Sequence, residues 1–281
     1  MSARASAASA DGSENRLLPS VGLIERVLTA DASYTISRMR VLERIPGNPI
    51  GIGYRRIDDR AVALVSIFLP SFTRVIGLRP GHEGEIAPLL AWYREYGVKP
   101  TFEIVPGMYD AALGRELARH GFLPAGFHAA VIGEPDCAAA QNADIDIEQV
   151  VSEEAMEHYL DAYVAGWGVQ EKDHAQFKAN VRPWREQPGW SLYLARVDGR
   201  PAAAATLYIA DRVAYLADAT TAPAFRGRGL HAALLRRRVR DASAAGIDFV
   251  FSGAEPMGTS HRNMERAGLR LHFLRTKWRT A

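Results

Sequence analysis

One cysteine, Cys137, occurs in 281 residues. A single thiol excludes an intramolecular disulfide and any cysteine-built metal cluster. It also suits a reducing compartment. No run of 18 apolar residues occurs, so no segment reads as a membrane-spanning helix. An excess of charge is missing too. The 34 basic and 32 acidic residues leave a net charge of +2, too balanced to read as a nucleic-acid footprint. No apolar stretch follows Arg4, as a secretory signal requires. These absences predict a cytoplasmic chain with no metal, no membrane association and no nucleic-acid partner.

What is present is globular in composition: 48% hydrophobic, 23% charged and 9% aromatic residues. That excludes wholesale disorder, and the length suits one large or two small domains. Residues 1–15 are rich in Ala and Ser without apolar periodicity and read as a disordered lead. A second break, GEPDCAAAQNAD at 133–144, reads as a linker. The expected organisation is a lead at 1–15, a domain at 16–135, a linker at 136–143 and a second domain at 144–281.

The two parts repeat an order of elements. Gly97 and Val98 lead into an apolar run at 101–105, and a helical stretch follows. Arg119-His120-Gly121-Phe122 then opens an alternation. In the second part Gly246 and Ile247 lead into 249–252. Arg266-Ala267-Gly268-Leu269 opens the closing alternation at 271–278. The first pair of glycines lies 149 residues apart and the second pair 147. This suggests a duplicated fold.

In the second part, 145–151 alternates as a strand, and Ser152 starts a helix with Glu153 and Glu154 in its first turn. A less regular helix covers 173–184. Strands at 190–197, 201–210 and 213–221 are joined by tight turns at Asp198-Gly199 and Asp211-Arg212. A helix over 230–245 buries Leu230, Leu234, Leu235, Val239 and Ala242. Antiparallel hairpins followed by a strand-helix-strand crossover predict an α/β class with a mixed sheet.

The sharpest motif is ATTAPAFRGRGLH at 219–231. A strand ends at Thr221, Pro223 stops it, and a glycine-rich turn opens into a helix. First-turn amides lack internal partners and carry the positive end of the helix dipole. Gly227 and Gly229 leave room for a phosphate to reach the backbone, and Arg226 and Arg228 add charge. The physical expectation is a pyrophosphate-sized anion site. It is neither a Walker loop nor the dinucleotide fingerprint.

The segment resembles the acetyl-coenzyme A motif of the GNAT acyltransferase superfamily, Gln/Arg-x-x-Gly-x-Gly/Ala. Arg226 and Gly229 fit the pattern, and His231 departs from its usual Gly or Ala. Residues 259–269, TSHRNMERAGL, look like that family's fourth helix and the strand after it. The resemblance implies two GNAT-like domains, each a mostly antiparallel mixed sheet flanked by helices. It implies acetyl-CoA or another acyl-CoA as co-substrate. The backbone of Ala219, Thr220 and Thr221 would hold the pantetheine arm. Arg226, Gly227, Arg228, Gly229, Leu230 and His231 would hold the phosphates, with Asn263 nearby. In the first part, Arg74-Val75-Ile76-Gly77-Leu78-Arg79-Pro80-Gly81 stands where the motif belongs, without its paired glycines. That copy is expected to be degenerate, structural or a wall of the substrate cleft.

Met264 and Met257 occupy the positions of the family's usual Tyr and Asn, and methionine cannot donate a proton. Candidate bases are Asp218 and Glu255. Ser260 is a candidate donor or a helix cap. Trp167 and Trp184 are candidate acceptor-lining residues, with core packing as the alternative. Arg236, Arg237, Arg238 and Arg240 spread around a helix, with Val239 on its buried side, and read as a solvated face. The expected function is acyl transfer from acyl-CoA to a small-molecule amine. The alternative is a non-catalytic acyl-CoA sensor or scaffold. The sequence leaves monomer and homodimer equally open.

Overall fold

The structure is a computed structural model and describes residues 17–48, 50–135 and 145–281. The expected lead at 1–15, the linker at 136–143 and Cys137 lie outside the described residues.

The first half begins with a long helix, α1 (Val21–Glu43), capped by the Ser20 hydroxyl, which accepts from the Leu23 amide. Strands β1 (Ile52–Arg56), β2 (Val62–Ser66) and β3 (Arg74–Ile76) follow. Then come α2 (Glu83–Glu95), β4 (Thr101–Ile104), α3 (Ala111–Arg119) and β5 (Phe122–Gly133). The second half runs β6 (Asp146–Gln149), α4 (Glu153–Trp167), α5 (His174–Val181), β7 (Trp190–Val197), β8 (Arg200–Ala210) and β9 (Val213–Thr221). It closes with α6 (Leu230–Ala244), β10 (Phe249–Ala254), α7 (Thr259–Arg266) and β11 (Arg270–Thr280).

The element order from β1 to β5 matches that from β7 to β11, and α1 stands where α4 and α5 stand in the second half. The expected hairpin turns are present. Asp198 and Gly199 both have positive φ (51° and 72°), as do Asp211 and Arg212. The irregular helix expected over 173–184 is α5 followed by a 3₁₀ stretch, Arg182–Glu186.

One feature departs from two separate domain sheets. All eleven strands form one sheet, ordered β1-β2-β3-β4-β11-β5-β10-β9-β8-β7-β6. The halves exchange their last strands. β5 pairs antiparallel with β10, and β11 pairs antiparallel with β4 and along ten positions with β5. Each closing strand is thus buried between neighbours and exposes no unpaired edge.

α6 and α7 pack on one face of the second half, where Leu230, Leu234, Leu235 and Met264 are buried. α4, α5 and the middle of α1 pack on the other, where an aromatic cluster includes Tyr34, Tyr159, Tyr163, Trp184 and Trp190. α1 therefore belongs to both halves. It packs on β1 and on β8 and β9. Its Asp31 pairs with Arg275 of β11. Among the described residues no helix is long and apolar enough to cross a membrane.

Candidate functional site

β9 and β10 run parallel for three pairs, ending at Tyr215 and Phe251, and then part. At the same level β9 carries a bulge. Ala204 pairs with Thr220 and Thr206 with Ala217, so Asp218 and Ala219 oppose Ala205 alone. Asp218 takes a φ of +47° there. The bulge breaks the alternation and turns Asp218 into the gap between the strands. A cleft of about 330 Å³ opens there, lined by Trp167, Asp218, Ala219, His231, Glu255 and Ser260 among others.

A second cleft of about 590 Å³ continues from the first, sharing Ala219, His231, Thr259 and Ser260. It runs past Thr220 and Thr221 to Arg226, Gly227, Gly229 and Leu230 at the start of α6. Gly227 and Gly229 have φ of 78° and 79°, a region that penalises side chains. Ala233 N–H closes the first turn onto Gly229 O. The six preceding amides, Gly227 to Ala232, donate to no described acceptor. Together they form a nest of donors at the positive end of a 15-residue helix.

Arg226 is tied to the backbone. Its Nε donates to Thr221 O and its Nη2 to Gly166 O, each at 3.2 Å. It thereby clamps the end of β9 to the end of α4. Gly166 has no room for a Cβ, which would overlap the Thr220 side chain. Arg228 is exposed, with its guanidinium 5.6 Å from the Phe225 ring centroid. Burial, with help from Arg238, pushes His231 down to about 4, so its imidazole is neutral at neutral pH. Asn263 Nδ2 lies 3.5 Å from His231 Nδ1, and Asn263 Oδ1 accepts from Arg266.

The catalytic candidates separate by environment. Asp218 accepts a hydrogen bond from the Tyr34 hydroxyl, contributed by α1 of the first half. Burial, then the Asp218 charge, holds the Tyr34 hydroxyl well above its ordinary range, so it remains a donor. Glu255 stands at the exposed rim, where Lys277 donates to it at 2.9 Å and keeps its carboxyl below the usual range. Ser260 is exposed in both clefts and caps nothing, because the α7 N-cap is Gly258. Met264 is buried and also lines the smaller cleft. Met257 is exposed before α7 and donates its amide to His261 Nδ1. Trp167 is exposed on the cleft, whereas Trp184 is fully buried in the aromatic cluster.

The arginine run is not a uniformly solvated face. Arg237 pairs with Asp241, and Arg240 is exposed beside it. Arg238 is completely buried. Its Nη1 donates to Thr206 O and Ala217 O, which flank the bulge, and its Nε donates to Leu234 O. Burial lowers it to about 10. The signal was in the sequence: Arg238 stands four residues after Leu234 and four before Ala242, on the buried stripe. Tyr34 had no such signal, since its partner is 184 residues away.

The matching place in the first half is closed. β3 and β4 also pair in parallel over three positions. Beyond them Gly77 packs so tightly that a Cβ would overlap Arg60 O. Asp58 holds both Arg79 and His82, and the Gly81 amide donates to Glu83. Acidic groups thus occupy Arg79 Nη2, His82 Nε2 and the Gly81 amide, while Arg79 Nη1 and His82 Nδ1 are buried without a partner. Among the described residues no group of three or more His, Cys, Asp or Glu could hold a metal.

Residues 138–256 match the family model described as an acetyltransferase (GNAT) domain. No curated protein matches the chain. A solved GCN5-related N-acetyltransferase from Kribbella flavida is 18% identical, with a TM-score of 0.67, covering 93% of this chain and 96% of its own. One from Sphaerobacter thermophilus is 16% identical, with a TM-score of 0.57, over 92% and 91%. A tandem GNAT protein from the clavulanic acid biosynthesis pathway is 13% identical, with a TM-score of 0.58, over 93% and 96%. At these identities the likeness is one of fold, and the fold is a tandem GNAT fold.

Proposed function

We propose that this tandem GNAT chain is an acyl-CoA-dependent N-acyltransferase with one working site, in its second half. The observation that carries the reading is the row of six free amides from Gly227 to Ala232, beyond a stretch of β9 that is paired with β8 but open on its β10 side. Paired glycines, a helix dipole and an open strand edge fit a pyrophosphate with an extended arm. The acyl group is most simply acetyl, and the acceptor is a small-molecule amine.

Coenzyme A would supply the thioester, with its phosphates on α6 and its pantetheine along Ala219 to Thr221. The amine nitrogen bonds to the acyl carbon as the carbon–sulfur bond breaks. Asp218 takes the proton that the amine loses, directly or through water. The departing thiolate receives the proton that Asp218 took, relayed through water or through a hydroxyl of α7, where Ser260 and Thr259 both line this cleft. Met264 cannot do it, which favours a second reading: a module that binds acyl-CoA without turnover. Free-thiol release from acetyl-CoA with a panel of amines separates the two, because the sensor reading requires none.

Calorimetric titration should give one coenzyme A per chain, and two equivalent sites would overturn the single-site reading. Gly229→Ala places a methyl in the cradle at a φ of 79°. It should weaken coenzyme A at least about tenfold while costing about 1–2 kcal/mol of stability. Unchanged affinity would move the phosphate site off α6.

A further inference from the structure

α1 turns two polar side chains, one helical turn apart, toward the second half. Tyr34 donates to Asp218. Arg38, four residues on, is 2% exposed. Its guanidinium carbon lies 3.9 Å from the centroid of the Phe72 ring and 4.6 Å from that of Trp184. Other buried arginines are matched on most of their N–H groups: Arg275 by Asp31, Arg74 by Glu103 and Arg238 by three carbonyls, with Arg74 Nε and Arg238 Nη2 left over. Arg38 is not. Its Nε and Nη1 are buried without an acceptor.

The unsatisfied atoms nearby are N–H donors and one hydroxyl, Thr35 Oγ1, three residues before Arg38 on α1. Trp184 Nε1 and Asn180 Nδ2 are buried without acceptors, on side chains at most 1% exposed. Phe68 and Phe177 meet ring to ring at 5.3 Å and join the first half to α5 near this place. A charge and two further N–H groups with nothing to receive them are costly in a protein interior. Cation–π contact offsets part of the cost for the guanidinium, but it satisfies none of the in-plane N–H groups. The missing partner is an anion with several lone pairs. A carboxylate fits a guanidinium and an indole N–H in size and geometry.

We propose that the acceptor is an amino carboxylic acid, with its carboxylate received by Arg38, Trp184 Nε1 and Asn180 Nδ2 and its amine directed to Asp218. The proposal rests on the transferase reading and adds the substrate class. One helical turn between Tyr34 and Arg38, about 5 Å, sets the scale between amine and carboxylate. It gives the first half a part in acceptor choice, since α1 and Phe72 both come from there.

The test uses the full chain and matched amines: phenylalanine against phenethylamine, and γ-aminobutyrate against butylamine. Binding is read by isothermal titration calorimetry, and transfer by thiol release. The acid member of a pair should lead by roughly 10- to 100-fold in Kd and in kcat/KM, as a charged hydrogen-bonded pair provides. Arg38→Gln should bring that ratio toward one, and Arg38→Lys should restore part of it. Coenzyme A binding should hold in both variants. Equal use of acid and neutral members by the wild type overturns the proposal, whether or not Arg38→Gln folds. So does an acid preference that survives Arg38→Gln. Acid-selective binding with no thiol release would keep the Arg38 site and overturn the transferase reading. Turnover of amines without acid preference would do the reverse.

Discussion

Asp218 reaches the cleft through a bulge that two distant side chains support. Arg238 fills the sheet beneath it and satisfies the carbonyls of Thr206 and Ala217. Tyr34 meets the carboxylate itself. Tyr34→Phe keeps the ring, which stacks on Trp190 at 5.0 Å and meets Tyr215 at 4.8 Å, and removes only the donor. Without that donor the carboxylate loses the contact that orients it, so kcat should fall roughly tenfold while coenzyme A binding holds. An unchanged kcat would assign Tyr34 to packing alone. Arg238→Met leaves buried carbonyls without donors and should cost about 2–4 kcal/mol in denaturant titration. A loss under about 1 kcal/mol would mean that the bulge supports itself. The inward place of Arg238 was legible from its spacing to Leu234 and Ala242, whereas the role of Tyr34, whose partner is 184 residues away, was not.

At the scale of elements, the second half was the more legible. Ser152 caps α4 as expected, accepting from the Ala155 amide, and the turns at Asp198-Gly199 and Asp211-Arg212 stand where the glycine and aspartate signals put them. Such signals are local and belong to the backbone. The exchange of β5 and β11 is not local. Neither strand carries a local signal for its distant neighbour, so pairing is decided by three-dimensional fit rather than by period. α1 is similar: buried Asp31, Thr35 and Arg38 interrupt its apolar pattern because it packs on both halves. The exchange has a consequence. Residues 145–281 alone lack β5, which separates β10 from β11. That fragment should aggregate or remain unfolded, and co-expression with residues 17–135 should restore a soluble complex. A soluble, coenzyme A-binding fragment would show instead that β11 can close directly on β10.

The whole molecule carries its buried ionisable groups on and around one sheet, so its stability should fall at both ends of the pH scale. On the acid side, burial pushes His128 and His231 down to about 4 each. A histidine kept neutral in the fold binds fewer protons than its unfolded counterpart below pH 6.5. Its contribution is therefore whole above that pH and erodes as pH falls from 6.5 toward 4. Glu103 acts lower. Burial opposes its charge, but Arg74 and Arg275 outweigh it and bring the carboxyl to about 2, so its contribution is lost as pH falls from about 4.5 through 2. On the alkaline side, burial raises Tyr34, Tyr93, Tyr159, Tyr163, Tyr193, Tyr208 and Tyr215. The unfolded chain releases these protons near pH 10 while the fold retains them. Each tyrosine then subtracts up to about 1.4 kcal/mol per pH unit above that point. The thermal midpoint should be flat between about pH 7 and 9.5, decline gradually below 6.5 and drop steeply above 10. Tyr34→Phe should soften the alkaline fall without altering the acid one. An alkaline edge no steeper than the acid edge would mean that these hydroxyls ionise in place, and that the aromatic layer beneath Asp218 admits water.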